Sequence, residues 1–276
     1  GLDLRVLEIG RGIAAAYCTK LMVDLGATVT RVEPSSGDAL RRQGATPQHG
    51  AERGSGLFQY LNSGKHSIAL DLMLHSARDR FVELAGEHEI VIEDLGPGLF
   101  AMLGLVSGAA GTAGSAESGG RTRILTAASD ERAPRAVVSI SAFGQRGPYR
   151  DLPASSLVLQ AAGGWVARIG TPQGPPYYVG GQMEEYVAGA YAAAAALTAL
   201  RQARVAQQTV SVDVSVFECV LGTIPYPMLQ KITFDRLGFP VPQRYQPIPG
   251  ILGCRDGFVG ISALTAESRG MHRLGR

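Results

Sequence analysis

One segment, residues 179–218, carries a long helix pattern followed by a strand pattern, and it constrains the fold more than any other part of the chain. The helical part begins with two adjacent carboxylates, Glu184 and Glu185, runs through an alanine-rich stretch and ends on Arg201 and Arg204. Acid in the first turn and base in the last is the charge order that the helix dipole favours. A helix whose sides are mostly methyl groups packs closely inside a protein. We therefore predict that the carboxylates lie at the rim of a packed layer, where backbone N–H groups stabilise their ionised form.

The rest of the chain alternates between strand and helix patterns. Residues 210–217 alternate valine with mostly polar residues, a period of two that predicts a strand. The other predicted strands of this region are 4–9, 28–32, 67–70, 90–92 and 136–140, and the predicted helices include 14–25 and 74–85. This order predicts an α/β fold with a Rossmann-like, open, mostly parallel sheet and helices on both faces.

The same patterns suggest a division into domains. Residues 1–222 form the predicted large domain, within which residues 106–135 are low in sequence complexity and form a flexible insertion. Residues 223–276 contain clustered prolines and two short strand patterns. We assign them to a linker and the start of a smaller, incomplete second domain.

The composition limits the classes of partner. A net charge of +2 with 18% charged residues leaves no broad electrostatic surface for nucleic acid. The three cysteines, Cys18, Cys219 and Cys254, form no CxxC pair, which fits a reducing compartment. No apolar run approaches the length of a membrane span. We therefore predict a cytoplasmic protein with no metal site, no nucleic-acid partner and no membrane anchor.

A glycine-rich turn follows the first predicted strand. Gly10, Gly12 and Ala15 satisfy the G-x-G-x-x-A form of the dinucleotide fingerprint, and Glu33 stands about where a ribose-binding acid is expected. The segment LEIGRG also resembles the first motif of S-adenosylmethionine methyltransferases. A turn that only packs closely against its neighbours fits the same residues.

The connection from residue 34 to residue 66 is long and polar. With Arg31, Arg41, Arg42, Lys65 and His66 it is the most basic region near the predicted strand ends. Such a region can bind the phosphates of a ligand, and it can equally be a solvated surface loop. Its length favours a function, because long irregular connections are uncommon in compact domains.

Seven segments, in order along residues 2 to about 265, carry a family resemblance. They are LMVDLGATVTRVEPSSGD at 21–38, LNSGKHSIALDL at 61–72, EIVIEDLGPG at 89–98, SISAFGQRGPY at 139–149, QAAGG at 160–164, VGGQMEEYVAG at 179–189 and VSVDVSVFE at 210–218. Together they resemble the family III CoA-transferases, a group that includes formyl-CoA and carnitine CoA-transferases and the α-methylacyl-CoA racemases. The resemblance implies a Rossmann-like large domain, a smaller inserted domain and a homodimer of interlocked subunits.

The resemblance also implies a reaction between an acyl-CoA and a carboxylic acid. Family transferases use a carboxylate nucleophile that passes through a mixed anhydride and an enzyme–CoA thioester, while the protein keeps water away. Laid on residues 179–189, the nucleophile motif places Glu185 where the family usually has aspartate, and Glu184 is the alternative. Glutamate extends one methylene further, and a displacement of about 1 Å can cost on the order of a hundredfold in rate.

The resemblance assigns a CoA site to residues from several segments. They are Ile13, Ala15, Arg31, Arg41, Arg42, Asn62, Lys65, His66, Gly96, Pro97, Gly98, Gly144 and Gln145. Ala15-Ala16 replaces a Gly-Pro pair of the family, and Gly96 replaces an arginine. Residues 153–156 lack the Gly-His-Asp of the racemases, which disfavours two-base epimerisation. Two alternatives stay open: a non-catalytic CoA-binding relative, and an enzyme that uses NAD or S-adenosylmethionine at the Gly10/Gly12 turn.

Overall fold

A computed structural model describes residues 1–44, 55–102, 105–106, 123–124, 133–169, 174–224 and 250–261, with three single positions between the last two ranges. The chain divides into two compact units, one of residues 1–163 and 180–223 and one of residues 164–179 and 224–276. The first unit overlaps the predicted large domain, except that residues 164–179 lie in the second unit. The predicted insertion at 106–135 falls almost entirely outside the described residues, so its flexibility stays a prediction.

Ten strands occur in the described chain. They are β1 (Arg5–Ile9), β2 (Thr28–Glu33), β3 (His66–Ala69), β4 (Ile90–Glu93), β5 (Leu105–Val106), β6 (Arg123–Ile124), β7 (Ala136–Ser141), β8 (Val210–Ser215), β9 (Gly250–Cys254) and β10 (Gly257–Ile261). Six of them form one sheet in the order β3-β2-β1-β4-β7-β8, and every neighbouring pair is parallel. The prediction of a Rossmann-like open parallel sheet is confirmed. The chain direction across the sheet reverses between β1 and β4, and ligands of such sheets bind beside the strand ends at this point.

Seven α-helices accompany these strands in the described chain. They are α1 (Ile13–Asp24), α2 (Gly56–Asn62), α3 (His75–Gly86), α4 (Leu99–Met102), α5 (Ser156–Ala162), α6 (Met183–Ala206) and α7 (Val216–Gly222), with short 3-10 helices at Ala39–Arg42 and Val166–Arg168. Successive residues of β1 face opposite sides of the sheet, so Val6 packs with α1 and α6 while Leu7 packs with α3. The predicted helical layers on both faces are therefore present.

One predicted boundary is wrong. The strand pattern was expected to continue to residue 217, but β8 ends at Ser215 and helix α7 begins at Val216. The Ser215 hydroxyl accepts a hydrogen bond of 3.3 Å from the N–H of Glu218. This side-chain cap satisfies an N–H group that a helix start leaves unpaired, and it turns the chain from strand into helix.

Helices α1 and α6 approach each other closely because small residues line their contact. Ala188, Gly189 and Ala192 of α6 are buried there. A Cβ atom at Gly189 would lie 2.7 Å from the carbonyl oxygen of Ala14 and 3.1 Å from the backbone nitrogen of Cys18. Both are backbone atoms, which cannot move aside as a side chain can. The crossing therefore fixes the start of α6 against the start of α1.

Gly189→Val is expected to lower the free energy of unfolding by about 1–3 kcal/mol, because the added side chain overpacks the helix crossing. Ala190→Val is the matched control, since Ala190 is the next residue of α6 and its side chain is exposed. The control should cost less than about 0.7 kcal/mol, the helix-propensity difference between alanine and valine. Urea unfolding of both variants measures the difference, and equal losses would refute the close crossing.

Candidate active site

The N-terminus of α1 lies at the end of β1 and carries N–H groups that have no partner within the helix. Gly12 is the residue before the helix and offers no side-chain cap. The first N–H groups of any helix have no partner within it, and the positive end of the helix dipole lies there. Two carboxylates from distant parts of the sequence occupy this position.

Glu185 of α6 is one of them. Its Oε2 accepts hydrogen bonds from the N–H of Ile13 at 2.6 Å and from the N–H of Ala14 at 3.3 Å. Burial raises the pKa of Glu185 to about 7; the bond from Ile13 opposes this rise and the charge of Asp94 adds to it. A carboxylate with this pKa titrates near neutral pH, and its position by the helix end suits a reactive group.

Asp94, in the loop directly after β4, is the second carboxylate at the start of α1. Its Oδ1 accepts from the N–H of Arg11 at 2.6 Å and from that of Gly12 at 3.3 Å, and its Oδ2 accepts from the N–H groups of Gly12 and Ala15, each at 3.2 Å. Burial raises the pKa of Asp94 despite these bonds. The sequence analysis did not select this residue. Its position just after a strand that neighbours β1 is the signal that could have found it, because parallel neighbours end at the same edge.

Glu184 points away from α1. It is buried, and its carboxylate accepts a hydrogen bond of 2.7 Å from the side-chain amide of Gln160 in α5. Adjacent residues of a helix point about 100° apart, which sends the two carboxylates of the pair to different neighbours. The geometry thus favours Glu185 over Glu184 as the reactive carboxylate, and the assignment of either as catalytic stays a prediction.

Gln182 supports the second oxygen of Glu185. Its side-chain amide donates to Glu185 Oε1 at 3.4 Å and accepts a hydrogen bond of 2.7 Å from Gln43. Gln182 precedes the helix in the left-handed region, at φ 56° and ψ 42°. A non-glycine residue rarely adopts this conformation, and such residues concentrate at functional sites.

Arg31 and Lys65 form a buried charge network with Glu8 rather than a surface site. The Arg31 guanidinium pairs with the carboxylates of Glu8 and Asp38. The Lys65 ammonium donates to Glu8 at 2.9 Å, to the Ala16 carbonyl at 2.8 Å and to the Asn62 amide oxygen at 3.0 Å. Arg31 and Lys65, which the resemblance assigned to CoA together with Asn62, therefore lie in the interior. Glu8 is on the side of β1 that faces α1, and a carboxylate buried there needs hydrogen-bonding partners.

The remaining predicted basic residues are dispersed. Arg41 forms two hydrogen bonds of 2.7 Å to Glu33 and covers the ring of Phe58. His66 opens the edge strand β3 with its side chain exposed. Arg42 lies at the end of a 3-10 helix, donates to the Ser36 carbonyl at 3.4 Å and lines a cleft. Of the five basic residues of this region, Arg42 lines the described cleft.

The cleft has a volume of about 430 Å³ and adjoins the start of α1. Apolar side chains form much of its wall, namely Ile9, Val32, Leu70, Leu72, Met73, Leu95 and Leu99. Gly10 and Arg11 line it as well, and a Cβ atom at Gly10 would lie 2.2 Å from Asp94 Oδ1. The backbone of Gly10 therefore lies beside both the cleft and Asp94.

The predicted glycine turns meet beside the end of β4. Gly96, Pro97 and Gly98 form one turn, and the Gly98 N–H donates to the side-chain oxygen of Gln145 at 3.2 Å. Gly144 and Gln145 form the other, where the Gln145 N–H donates to Asp213 at 2.9 Å. These residues are held at the same sheet edge as the cleft but are not among its described lining.

Two kinds of feature are absent from the described residues. No three histidine, cysteine, aspartate or glutamate side chains converge there as a metal ion would require. None of the helices within the described ranges combines the length and apolarity that crossing a bilayer would need.

Comparison with known proteins gives a consistent result. The family model of CoA-transferase family III matches residues 2–110 and 118–273. The chain is 31% identical over 221 residues to succinyl-CoA–D-citramalate CoA-transferase of Chloroflexus aurantiacus, covering 80% of this chain and 50% of that protein. It is 30% identical over 220 residues to formyl-CoA:oxalate CoA-transferase of Streptomyces avermitilis, covering 79% and 48%. The chain thus spans about half the length of the curated relatives it matches.

A solved structure supports the fold. The CAIB/BAIF family protein from Brucella suis superposes with a TM-score of 0.76 at 24% identity, over 94% of this chain and 65% of that one.

Proposed function

This chain belongs to CoA-transferase family III, and we propose that it moves CoA from an acyl-CoA thioester to a carboxylic acid with Glu185 as the nucleophile. One observation carries the proposal: Glu185 Oε2 accepts two backbone N–H groups at the start of α1, next to an apolar cleft. Glu184 is bonded to Gln160 instead and has no part in the chemistry. The acyl donor and the acceptor acid are small molecules.

The proposed reaction passes through three covalent intermediates on Glu185. Oε1 of Glu185 attacks the thioester carbonyl, the C–S bond breaks, and a mixed anhydride and CoA thiolate form. The thiolate then attacks the glutamyl carbonyl and expels the donor acid, which leaves a glutamyl–CoA thioester. The acceptor carboxylate attacks the glutamyl carbonyl of this thioester, which expels CoA thiolate and forms a second mixed anhydride. The thiolate then attacks the acceptor's carbonyl carbon in this anhydride. This last step releases the new acyl-CoA and restores the Glu185 carboxylate.

The N–H groups of Ile13 and Ala14 suit the second and third attacks. Both attacks occur at the glutamyl carbon, so negative charge develops on the oxygen that those N–H groups already hold. Fixed donors aimed at a developing oxyanion stabilise the transition state, and one such donor contributes about 2.7–4 kcal/mol in well-studied enzymes. The site therefore suits nucleophilic attack at the carbonyl carbon of Glu185 once that side chain has become an anhydride or a thioester.

The cleft suits the nucleotide end of CoA. Its apolar wall accepts an adenine ring, and Arg42 supplies a positive charge for a phosphate. The pantetheine arm would run past Gly10 and Arg11 toward Glu185. An NAD or S-adenosylmethionine enzyme is less favoured, because two carboxylates already bind the N–H groups that an anionic ligand of the Gly10/Gly12 turn would need. The homodimer and the cytoplasmic location stay predictions.

CoA is expected to stabilise the protein against heat, whereas NAD and S-adenosylmethionine are not. A ligand at a hundred times its dissociation constant adds about 2.7 kcal/mol to the free energy of unfolding. Arg42→Ala should raise the dissociation constant for CoA about ten- to a hundredfold, because a charge-assisted hydrogen bond contributes about 1.5–3 kcal/mol. Arg80→Ala on α3, an exposed residue paired with Glu83, is the control and should leave binding unchanged. Stabilisation by NAD but not by CoA would refute the proposal.

A further inference from the structure

The start of α1 binds two carboxylates at once. Five successive N–H groups, from residue 11 to residue 15, donate to Asp94 or to Glu185. Asp94 takes the N–H groups of residues 11, 12 and 15, and Glu185 takes those of residues 13 and 14. The two side chains therefore interleave on a single helix end, although 91 positions separate them in the sequence.

The two carboxylates lie close enough to interact. A Cβ atom at Gly12 would lie 2.9 Å from Asp94 Oδ2 and 3.0 Å from Glu185 Oε2, so these oxygens are at most about 6 Å apart. Within the described residues, neither carboxylate forms an ion pair with a lysine or arginine. Like charges at this distance disfavour the doubly ionised state, and the N–H groups reduce that cost without removing it.

Five other titratable groups of the described residues interact with the pair. Those that interact with one or both carboxylates are Arg31 on β2, Cys18 on α1, Glu93 on β4, and Glu184 and Tyr186 on α6. Arg31 is held by Glu8 and Asp38, and Glu184 by Gln160. Of the two carboxylates whose charge raises the pKa of Glu185, Asp94 has the larger effect and Glu184 the smaller.

We propose that Asp94 and Glu185 form one proton-sharing carboxylate pair, in which Asp94 is a positioning residue that sets the pH range and the reactivity of Glu185. The proposal rests on the proposed role of Glu185 as nucleophile. With one proton on the pair, Glu185 is not fully ionised and attack is suppressed. As the pH rises the proton leaves to solvent, and Glu185 attacks as an anion beside a second anion.

This arrangement favours the covalent intermediates. An ionised Glu185 is destabilised by the Asp94 carboxylate, and this repulsion disappears when Glu185 becomes an anhydride or a thioester, because both are neutral at that position. An interaction that is unfavourable in the free enzyme and absent after attack accelerates the attack. Burial raises the pKa of both groups, and the charge of Asp94 adds to the rise at Glu185, in agreement with the geometry.

Carboxyl-carbon NMR of protein labelled at aspartate and glutamate tests the pair without requiring activity. In the wild type, both side chains should titrate in coupled two-step curves. Asp94→Asn should turn the Glu185 curve into a single step and lower its midpoint by on the order of one pH unit. The acid limb of kcat/KM for CoA transfer should move down with it, and transfer at pH 8 should fall several-fold. Asp94→Glu, which keeps the charge, should restore both curves, and the exposed Glu87→Gln should change neither.

The outcomes separate this proposal from the proposed function. An unchanged Glu185 midpoint in Asp94→Asn would overturn the pair even if CoA transfer persists. The expected midpoint shift, in a protein that transfers CoA from no thioester, would support the pair and count against the transferase role. If Asp94→Asn does not fold, Glu185→Gln gives the reciprocal reading: the midpoint of Asp94 should fall, and a constant midpoint would overturn the proposal.

Discussion

Replacing Glu185 with glutamine is expected to abolish CoA transfer, to below about a thousandth of the wild-type rate, while CoA binding changes by less than about twofold. The amide keeps the shape of the side chain and can still accept the N–H of Ile13, but it has no anionic oxygen to attack a thioester. Transfer from a panel of acyl-CoA donors to several carboxylic acids measures the first effect, and calorimetry with CoA measures the second. Hydroxylamine should trap the wild-type intermediate as a mass change on the peptide that contains residue 185.

Glu184→Gln is the matched control for this prediction. It makes the same chemical change at the neighbouring residue, whose carboxylate contacts Gln160 rather than α1. The control should retain the trapped adduct and most of the transfer. An adduct that persists in Glu185→Gln would move the nucleophile to another residue. Tight CoA binding with no adduct from any thioester would support the alternative of a non-catalytic CoA-binding relative.

The pH dependence of the stability of Glu185→Gln tests the raised pKa of Glu185 independently of catalysis. The folded pKa of Glu185 is about 7 against an ordinary value of 4.5, so the folded protein holds this proton more tightly than the unfolded chain. The resulting stabilisation is present below about pH 4.5 and is lost as the pH rises through about 7. Above pH 7 the ionised side chain costs the fold about 3 kcal/mol. The variant should therefore gain stability relative to the wild type between pH 5 and pH 8, as urea unfolding at both pH values would show.

Arg31→Met is expected to lower the free energy of unfolding by about 3–5 kcal/mol, because it leaves two buried carboxylates without their shared partner. Arg31 is 1% exposed and pairs with Glu8 and Asp38 inside the fold. Arg42→Met is the control, since Arg42 is exposed at the cleft and should affect stability by less than about 0.5 kcal/mol. Denaturant unfolding of both variants measures the effect. A stable Arg31→Met protein with weakened CoA binding would instead support the phosphate contact that the resemblance suggested.

The layout of the sheet could be predicted from the sequence because local patterns determine it. The alternation of strands and helices, the alanine-rich α6 and the acidic start of that helix all follow from periods and charges within one stretch. The end of β8 could also have been predicted, because Ser215 followed three residues later by Glu218 is the sequence signature of a helix start.

The candidate site was only partly predictable, because its contacts join distant segments. The sequence identified Glu185, yet the N–H group that holds it lies 172 residues earlier. It also located a basic region but not the carboxylates that neutralise it. The alternation along β2 carried some of this information, since Arg31 falls on the same side of the strand as the buried Val29. Asp94 was missed because its role arises only when two neighbouring strands end side by side.

The cleft and the proposed nucleophile are encoded separately along the chain. All the described residues that line the cleft fall between residues 9 and 99, whereas Glu185 comes from the helix that packs onto α1 much later in the sequence. Gene copies of this protein could therefore diverge in two independent ways. Under the proposed function, changes before residue 100 would alter the binding of the nucleotide end of CoA without altering residue 185, and one substitution at residue 185 would remove transfer while the cleft stays intact.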